Sequence, residues 1–254
     1  MTDGWSAGTT ARRLWRAVVP SGIRERVNGV RTSLREARWR KPRDLGELRR
    51  VTPFSTWGKS RGGSIARYYI AQFLEGHTAD IRGRALEIAG DEYIQRFGTG
   101  VDRTDILDVF AHNPRATIVG DLSDAPAAPD AAFDCVLVTQ VLSWVYDVRA
   151  ALRTVHRILV PGGVLLATTP GIARIAPVES ELFGEWWHLT SMSVRRMTEE
   201  IFGEGNVEVE TFGNVLSATG FLFGLGLYDL APEELDVRDP AFEVIVAVRA
   251  VKRV

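Results

Sequence analysis

Residues 136–170 read VLVTQVLSWVYDVRAALRTVHRILVPGGVLLATTP, and this one segment restricts the chain to a narrow class of folds. A short apolar run from Phe133 to Val138 has the length and composition of a buried strand. Behind it Ala151, Leu152, Val155, Ile158 and Leu159 recur at helical spacing, so an amphipathic helix follows. Pro161-Gly162-Gly163 stops that helix, and Val164–Thr168 is a second apolar run. Strand, crossover helix and strand make a βαβ unit, which requires a parallel sheet.

The remaining sequence extends this unit into one large α/β domain. Arg84–Ala89 is the first core strand, Val101–Val109 holds the second and Ala116–Gly120 the third. A helix carrying Ile65, Tyr69, Phe73 and Leu74 starts after Ser64, and another starts near Tyr93. Ser193 is placed to cap a helix with Val194, Met197 and Ile201 inward. Val207–Thr211 and Phe242–Ala250 are the last two strands, with no regular crossover between them, so the final strand is expected antiparallel. The apolar stretch between them, containing Phe221, Leu222, Phe223, Leu225 and Leu227, is too long for a tight hairpin and predicts a helical insertion. The expected fold is a Rossmann-like, seven-stranded, mostly parallel sheet with an antiparallel last strand.

Residues 1–50 differ in composition. Arginines recur from Arg12 to Arg50 against only Asp3, Glu25, Glu36, Asp44 and Glu47. After Ser21, the residues Ile23, Val27, Val30, Leu34 and Ala37 form one apolar helical stripe that Pro42 ends. This basic helical N-terminal appendage, set against a domain over residues 51–254, is suited to packing on its own domain or a dimer mate, docking a partner enzyme, or touching an anionic membrane surface. The narrow valine- and alanine-rich stripe argues against stable membrane insertion.

Composition excludes several classes. A net charge of −1 carries no nucleic-acid footprint. Mean hydropathy is −0.03 and no long uncharged apolar run occurs, so no spanning helix is expected. Arg12, Arg13 and Arg16 interrupt the stretch that would supply a signal core, which makes a cytoplasmic location the expectation. The one cysteine, Cys135, leaves no internal disulfide or cysteine-based zinc site and falls inside a strand as an inert thiol. No metal site can be assigned from the carboxylates.

Acidic residues fall at the carboxyl ends of the strands, where open α/β sheets bind ligands. Glu87 lies late in the first strand, Asp105 (or Asp102) in the second, and Asp121 directly after the third. With the LVPGG turn, this ordered set resembles the class I S-adenosylmethionine-dependent methyltransferases over roughly residues 80–212. The resemblance implies S-adenosylmethionine as cofactor. It places the loop Ala89-Gly90-Asp91 under the methionine part, Glu87 near its amino group and Asp105 on the ribose hydroxyls. Asp121 and Leu122 would meet the adenine, and Thr139 and Gln140 the reactive sulfonium. The family's loop resembles E-x-G-x-G-x-G, whereas here EIAGDEY puts Ala89, Asp91 and Tyr93 where glycine is typical. That departure means either a reshaped loop that still binds the cofactor or a fold that has lost it.

Two further segments, RGGSIARYYIAQFL and GEWWHLTSMSVRRM, resemble segments of methyltransferases of glycan and natural-product pathways found beside glycosyltransferases. His188 stands where that group has arginine and offers an imidazole suited to general-base work, or else is a surface or packing residue. Trp186 and Trp187 could stack on a sugar or sit in the core; Tyr68 or Tyr69 and Phe221 complete the expected acceptor pocket. The resemblance implies O-methylation of a sugar or glycosylated natural product. The alternative is an inactive methyltransferase-like partner or scaffold for a glycosyltransferase, engaged, like a homodimer, through the N-terminal helix.

Overall fold

The computed structural model describes residues 46–253. The chain divides into two compact units, Met1–Arg50 and Val51–Val254. Of the first, the described residues hold a single 3-10 turn, Gly46–Leu48. The helix expected after Ser21 lies outside the described residues.

The second unit alternates helices and strands: α1 (Ile65–Gly76), β1 (Gly83–Ile88), α2 (Glu92–Phe97), β2 (Val101–Asp108), β3 (Ile118–Val119), β4 (Phe133–Thr139), α3 (Val148–Ile158), β5 (Leu159–Pro170), α4 (Pro177–Phe183), α5 (Ser191–Phe202), β6 (Val207–Phe212), α6 (Val215–Phe223), α7 (Pro232–Leu235) and β7 (Ile245–Val251). The strands form one seven-stranded sheet in the order β3-β2-β1-β4-β5-β7-β6. β3, β2, β1, β4 and β5 pair in parallel, and β7 runs antiparallel to both β5 and β6. The reversed strand is last in sequence but sits between β5 and β6 in space, and α6 and α7 are the expected helical insertion.

Strand sequences explain the layers. In β4, Cys135 and Leu137 enter the core beneath α1, while Val136 and Val138 enter the core beneath α3 and α5. β5 repeats the division with Val164 and Leu166 against Leu165 and Ala167. Both faces are buried, so these strands read as unbroken apolar runs. Burial also pushes the Cys135 thiol well above its ordinary pKa, which keeps it inert.

Two local readings shift. Pro161-Gly162-Gly163 do not stop α3, which ends at Ile158; they fall inside β5, which begins at Leu159, pairs with Phe133, loops out and resumes at Val164 opposite Cys135. Lys252 clamps the loop: its N–H donates to Gly163 O at 2.9 Å and its ammonium to Leu159 O at 2.7 Å. At α5 the cap is Thr190, whose hydroxyl accepts from Ser193 N; Ser193 is its partner in a reciprocal capping box, not the cap itself.

The larger correction concerns Asp105. It lies within β2, not at its carboxyl end, and is 1% exposed. Arg84 Nε donates to it at 2.7 Å, Thr117 Oγ1 at 2.8 Å and an Arg103 Nη at 3.1 Å. Burial works to raise its pKa, but these three donors outweigh burial and hold the carboxyl below the usual range. Asp105 therefore ties β1, β2 and the approach to β3 together. The residue at the strand end is Asp108.

Because the folded pKa of Asp105 is depressed, its stabilisation is present above the unfolded-state value of about 3.9 and lost as pH falls through the lower folded value. Asp105→Asn should cost about 2–3 kcal/mol at neutral pH, less than a fully enclosed pair, since Arg84 and Arg103 reach water. Urea denaturation over a pH series should show the gap to wild type narrowing below pH ~4; equal stability at neutral pH would remove Asp105 from the framework.

Candidate active site

Strand order reverses between β1 and β4, and a cleft opens over their carboxyl ends. Its volume is about 540 Å³, within the range of small-molecule sites. Ile88 and Ala89 follow β1, Asp108 and Phe110 follow β2, Asp121 and Leu122 follow β3, and Gln140 follows β4. Leu182 and Phe183 of α4 form part of the wall, with the Phe183 ring 5.5 Å from that of Phe110.

The loop after β1 answers the question its sequence raises. Ala89 adopts φ +65°, the left-handed conformation that glycine takes without strain, and its N–H donates to Leu107 O at 2.9 Å. Asp91 has φ −138°, so the conformation does not demand glycine there. Of the departures from the glycine pattern, Ala89 holds the glycine conformation with an alanine in it. Glu87 is buried, and its carboxylate accepts from Tyr93 N at 3.1 Å and Ile94 N at 2.9 Å. It fastens the first turn of α2 to β1 rather than lining the cleft, and burial raises its pKa despite those donors. Asp91 pairs with Arg115. Neither Gly90 nor Asp91 lines the cleft.

Asp108 is nearly buried and already oriented. One oxygen accepts from Phe110 N at 2.9 Å, the other from Asn113 Nδ2 at 2.6 Å, and carboxylate lone pairs remain for a ligand. Asp121 is exposed to the cleft, with Ser123 N donating to it at 2.7 Å.

A second cleft of about 330 Å³ adjoins the first, and Gln140, Trp144 and Glu179 line both. Gln140 has φ +58°, a strained state for a non-glycine residue that persists only where the surroundings enforce it. Its N–H donates to Thr168 O at 2.8 Å, and its carbonyl accepts from Trp144 Nε1 at 2.7 Å. Thr139, Trp57, Tyr93 and Phe221 line this second cleft, as does Glu185.

The other residues expected at the acceptor lie elsewhere. Tyr69 is fully buried in the core, its hydroxyl donating to Leu235 O at 3.1 Å. Tyr68 donates to Asp236 Oδ1 at 2.7 Å, a bond that pushes its pKa up to about 12. Trp186 is exposed and packs edge-on against Tyr146. Trp187 and His188 line a separate hollow beside the first turns of α3 and α5. His188 thus does not reach Gln140; its Nε2 sits 3.0 Å from Glu185 Oε1. The Glu185 side chain is 5% exposed, and its other oxygen accepts from Ala176 N at 2.8 Å. Sequence reasoning missed Asp108 and Glu185. Asp108 is the last acid of the run RTDILDVF, and Glu185 opens the EWWH segment, so both stood next to the motifs that drew attention.

A family profile for a methyltransferase domain matches residues 62–167. Residues 62–167 thus resemble a methyltransferase domain, and the seven-stranded sheet is that of the Rossmann-like methyltransferase fold. A probable S-adenosylmethionine-dependent methyltransferase of Mycolicibacterium smegmatis is 28% identical over 149 residues, 58% of this chain and 54% of that protein. The chain thus spans about half the length of that relative. A malonyl-[acyl-carrier protein] O-methyltransferase of Serratia marcescens is 40% identical over 66 residues, 25% of this chain and 26% of that one. A complex of the Haloferax volcanii Trm112 methyltransferase activator with a methyltransferase contains a chain of the same fold, with TM-score 0.51 and 15% identity over 74% of this chain and 90% of that one.

The loop after β1 carries one built-in strain that can be relieved. Ala89 is exposed, so its methyl group packs on little. Ala89→Gly should raise the unfolding free energy by roughly 0.5–1 kcal/mol, the left-handed penalty less the extra entropy of glycine in the unfolded chain. Chemical denaturation measures it, and a loss of stability would show that the alanine is favoured at this turn.

Proposed function

We propose that this protein is an active S-adenosylmethionine-dependent methyltransferase of the cytoplasm that methylates a hydroxyl of a small molecule, a sugar or glycosylated natural product. The observation that carries the reading is the pair of adjoining clefts sharing Gln140. The first cleft suits the cofactor. Asp108 offers a buried, oriented carboxylate to the ribose hydroxyls, Asp121 and Leu122 flank the adenine, and Ile88 and Ala89 carry the methionine part. When bound, the cofactor supplies an electrophilic methyl group.

The second cleft then holds the acceptor, with Trp57, Tyr93, Trp144 and Phe221 as apolar walls. Placing the acceptor oxygen in line with the methyl group is the main contribution of the chain. Glu185 takes the place first given to His188. Its carboxylate borders the acceptor and accepts the hydroxyl proton, while His188 behind it orients the carboxylate. O-methylation draws support from the Serratia relative, which is named as an O-methyltransferase. Residues 1–50 serve as a docking arm for a second copy or a glycosyltransferase. The competing reading, an inactive scaffold, rests on the altered glycine loop; the left-handed φ of Ala89 favours retained cofactor binding, since the loop keeps the turn that glycine normally makes.

S-adenosylhomocysteine should bind once per chain by calorimetry, and Asp108→Ala should weaken it by about 1.5–3 kcal/mol, the range for hydrogen bonds to a charged group. No binding to the wild-type chain would leave the scaffold reading in place. Glu185→Gln should lower the turnover number by about 10²–10⁴ with little change in cofactor affinity. His188→Ala should reduce turnover less; the reverse ranking would return the base to His188.

A further inference from the structure

One group of charges in the acceptor cleft has no part in that chemistry. Lys59, Arg67 and Arg174 all line it. Many arginines elsewhere in the domain sit against carboxylates, as in Arg61–Asp229, Arg84–Asp105, Arg149–Glu200 and Arg249–Asp80. Among the described residues Lys59, Arg67 and Arg174 have no such ion pair. Glu179 and Glu185 border the same cleft, yet neither pairs with these cations; Glu185 is held by Ala176 N, Ser180 Oγ and His188. The Arg174 guanidinium lies over the Trp57 ring, 4.3 Å from its centroid, a contact that leaves it without a carboxylate partner among the described residues.

The first turn of α1 enters the same cleft through Ser64, Ala66 and Arg67. Ser64 is the N-cap, and a serine there ordinarily accepts from the N–H of the second or third helical residue. Here its side chain makes no cap bond, and its hydroxyl has no hydrogen-bond partner among the described residues although Ser64 is only 8% exposed. A bridge to Gly226 sets its backbone instead. A cap hydroxyl left unused on a mostly buried serine, uncapped helix N–H groups at the positive end of a 12-residue helix, and three cations without an ion pair therefore converge on one cleft.

We infer that Ser64, Arg67, Lys59 and Arg174 form an oxyanion site that selects methyl acceptors carrying a phosphate or carboxylate substituent. The inference rests on reading this cleft as the acceptor site. It assigns a task to RGGSIARYYIAQFL: Arg61 builds the wall by pairing with Asp229, and Arg67 meets the ligand.

Calorimetric titration of the full chain with glucose 6-phosphate, glucuronate and glucose tests it, with S-adenosylhomocysteine affinity measured in parallel. At least one charged sugar should bind about tenfold or more tighter than glucose, and which one does so identifies the anion. Arg67→Gln and Arg174→Gln should each weaken that ligand by about tenfold, a loss that added salt also produces. Arg82→Gln, an exposed arginine outside both clefts, should leave it unchanged, and S-adenosylhomocysteine affinity should be unaltered in all three variants. Charged sugars that bind no better than glucose, or variants that bind them as wild type does, would overturn the site. Charge-selective binding lost in Arg67→Gln and Arg174→Gln, without any binding of S-adenosylhomocysteine, would instead remove the cofactor reading and leave the anion site standing.

Discussion

The parallel pairing of β1 with β4 organises this molecule. The two strands lie side by side through Ala85–Cys135, Leu86–Val136 and Glu87–Leu137, although two other strands separate them in sequence. The loops leaving their carboxyl ends turn to opposite faces of the sheet, and a crevice must open between them. Helices bury both faces, so this edge is where the sheet can meet a ligand. Two of the non-glycine residues in the left-handed region, Ala89 and Gln140, stand at the two sides of that crevice. Strain of about 1–3 kcal/mol per residue is tolerated there because β1, β4 and β5 fix the backbone around it.

The carboxylates near this edge divide by how fully the protein has already used them. Asp105 takes three side-chain donors and Glu87 two backbone N–H groups of α2, and both serve as fasteners between elements. Asp108 and Asp121 accept from neighbouring backbone N–H groups, which orient them and leave lone pairs toward the cleft. The Glu185 side chain is buried yet borders the second cleft. Acidity alone does not separate these roles. Which of them line the cleft does: Asp108 and Asp121 do, Glu87 and Asp105 do not.

The acceptor side depends on tight backbone crossings between the segment ahead of α1 and the insertion between β6 and β7. Phe54 N donates to Phe223 O at 2.7 Å, and Ser55 Oγ to Gly224 O at 2.7 Å. Gly226 lies so close to the chain near Arg61 that a Cβ there would stand 2.2 Å from Arg61 O. Arg61 then reaches Asp229, whose other contact is Gly226 N at 2.8 Å. The glycines and the first arginine of RGGSIARYYI are thus packing devices that bring Ser64, Arg67 and Phe221 to one wall.

The βαβ core, the reversed last strand and the helical insertion were legible because apolar periodicity and turn residues are local signals. Asp121, Leu122, Gln140 and Phe221, each of which follows or sits within a clear element, line the clefts. The exchange of Asp105 for Asp108 shows where that reading stops. In RTDILDVF both aspartates sit in one strand-like run, and which of them ends the strand is set by pairing with β1 and β3. His188, Trp186 and Tyr69 went astray for a related reason. Each belongs to a motif close to the clefts, but the direction of a side chain depends on its helix or loop being seated against the rest of the domain. Elements, and the edge of the sheet where chemistry can occur, are written in short stretches of chain. Which carboxylates remain free, and which cations stay unneutralised, depends on how the elements are seated, whether the partner lies 21 residues away, as Arg84 does from Asp105, or 168, as Asp229 does from Arg61.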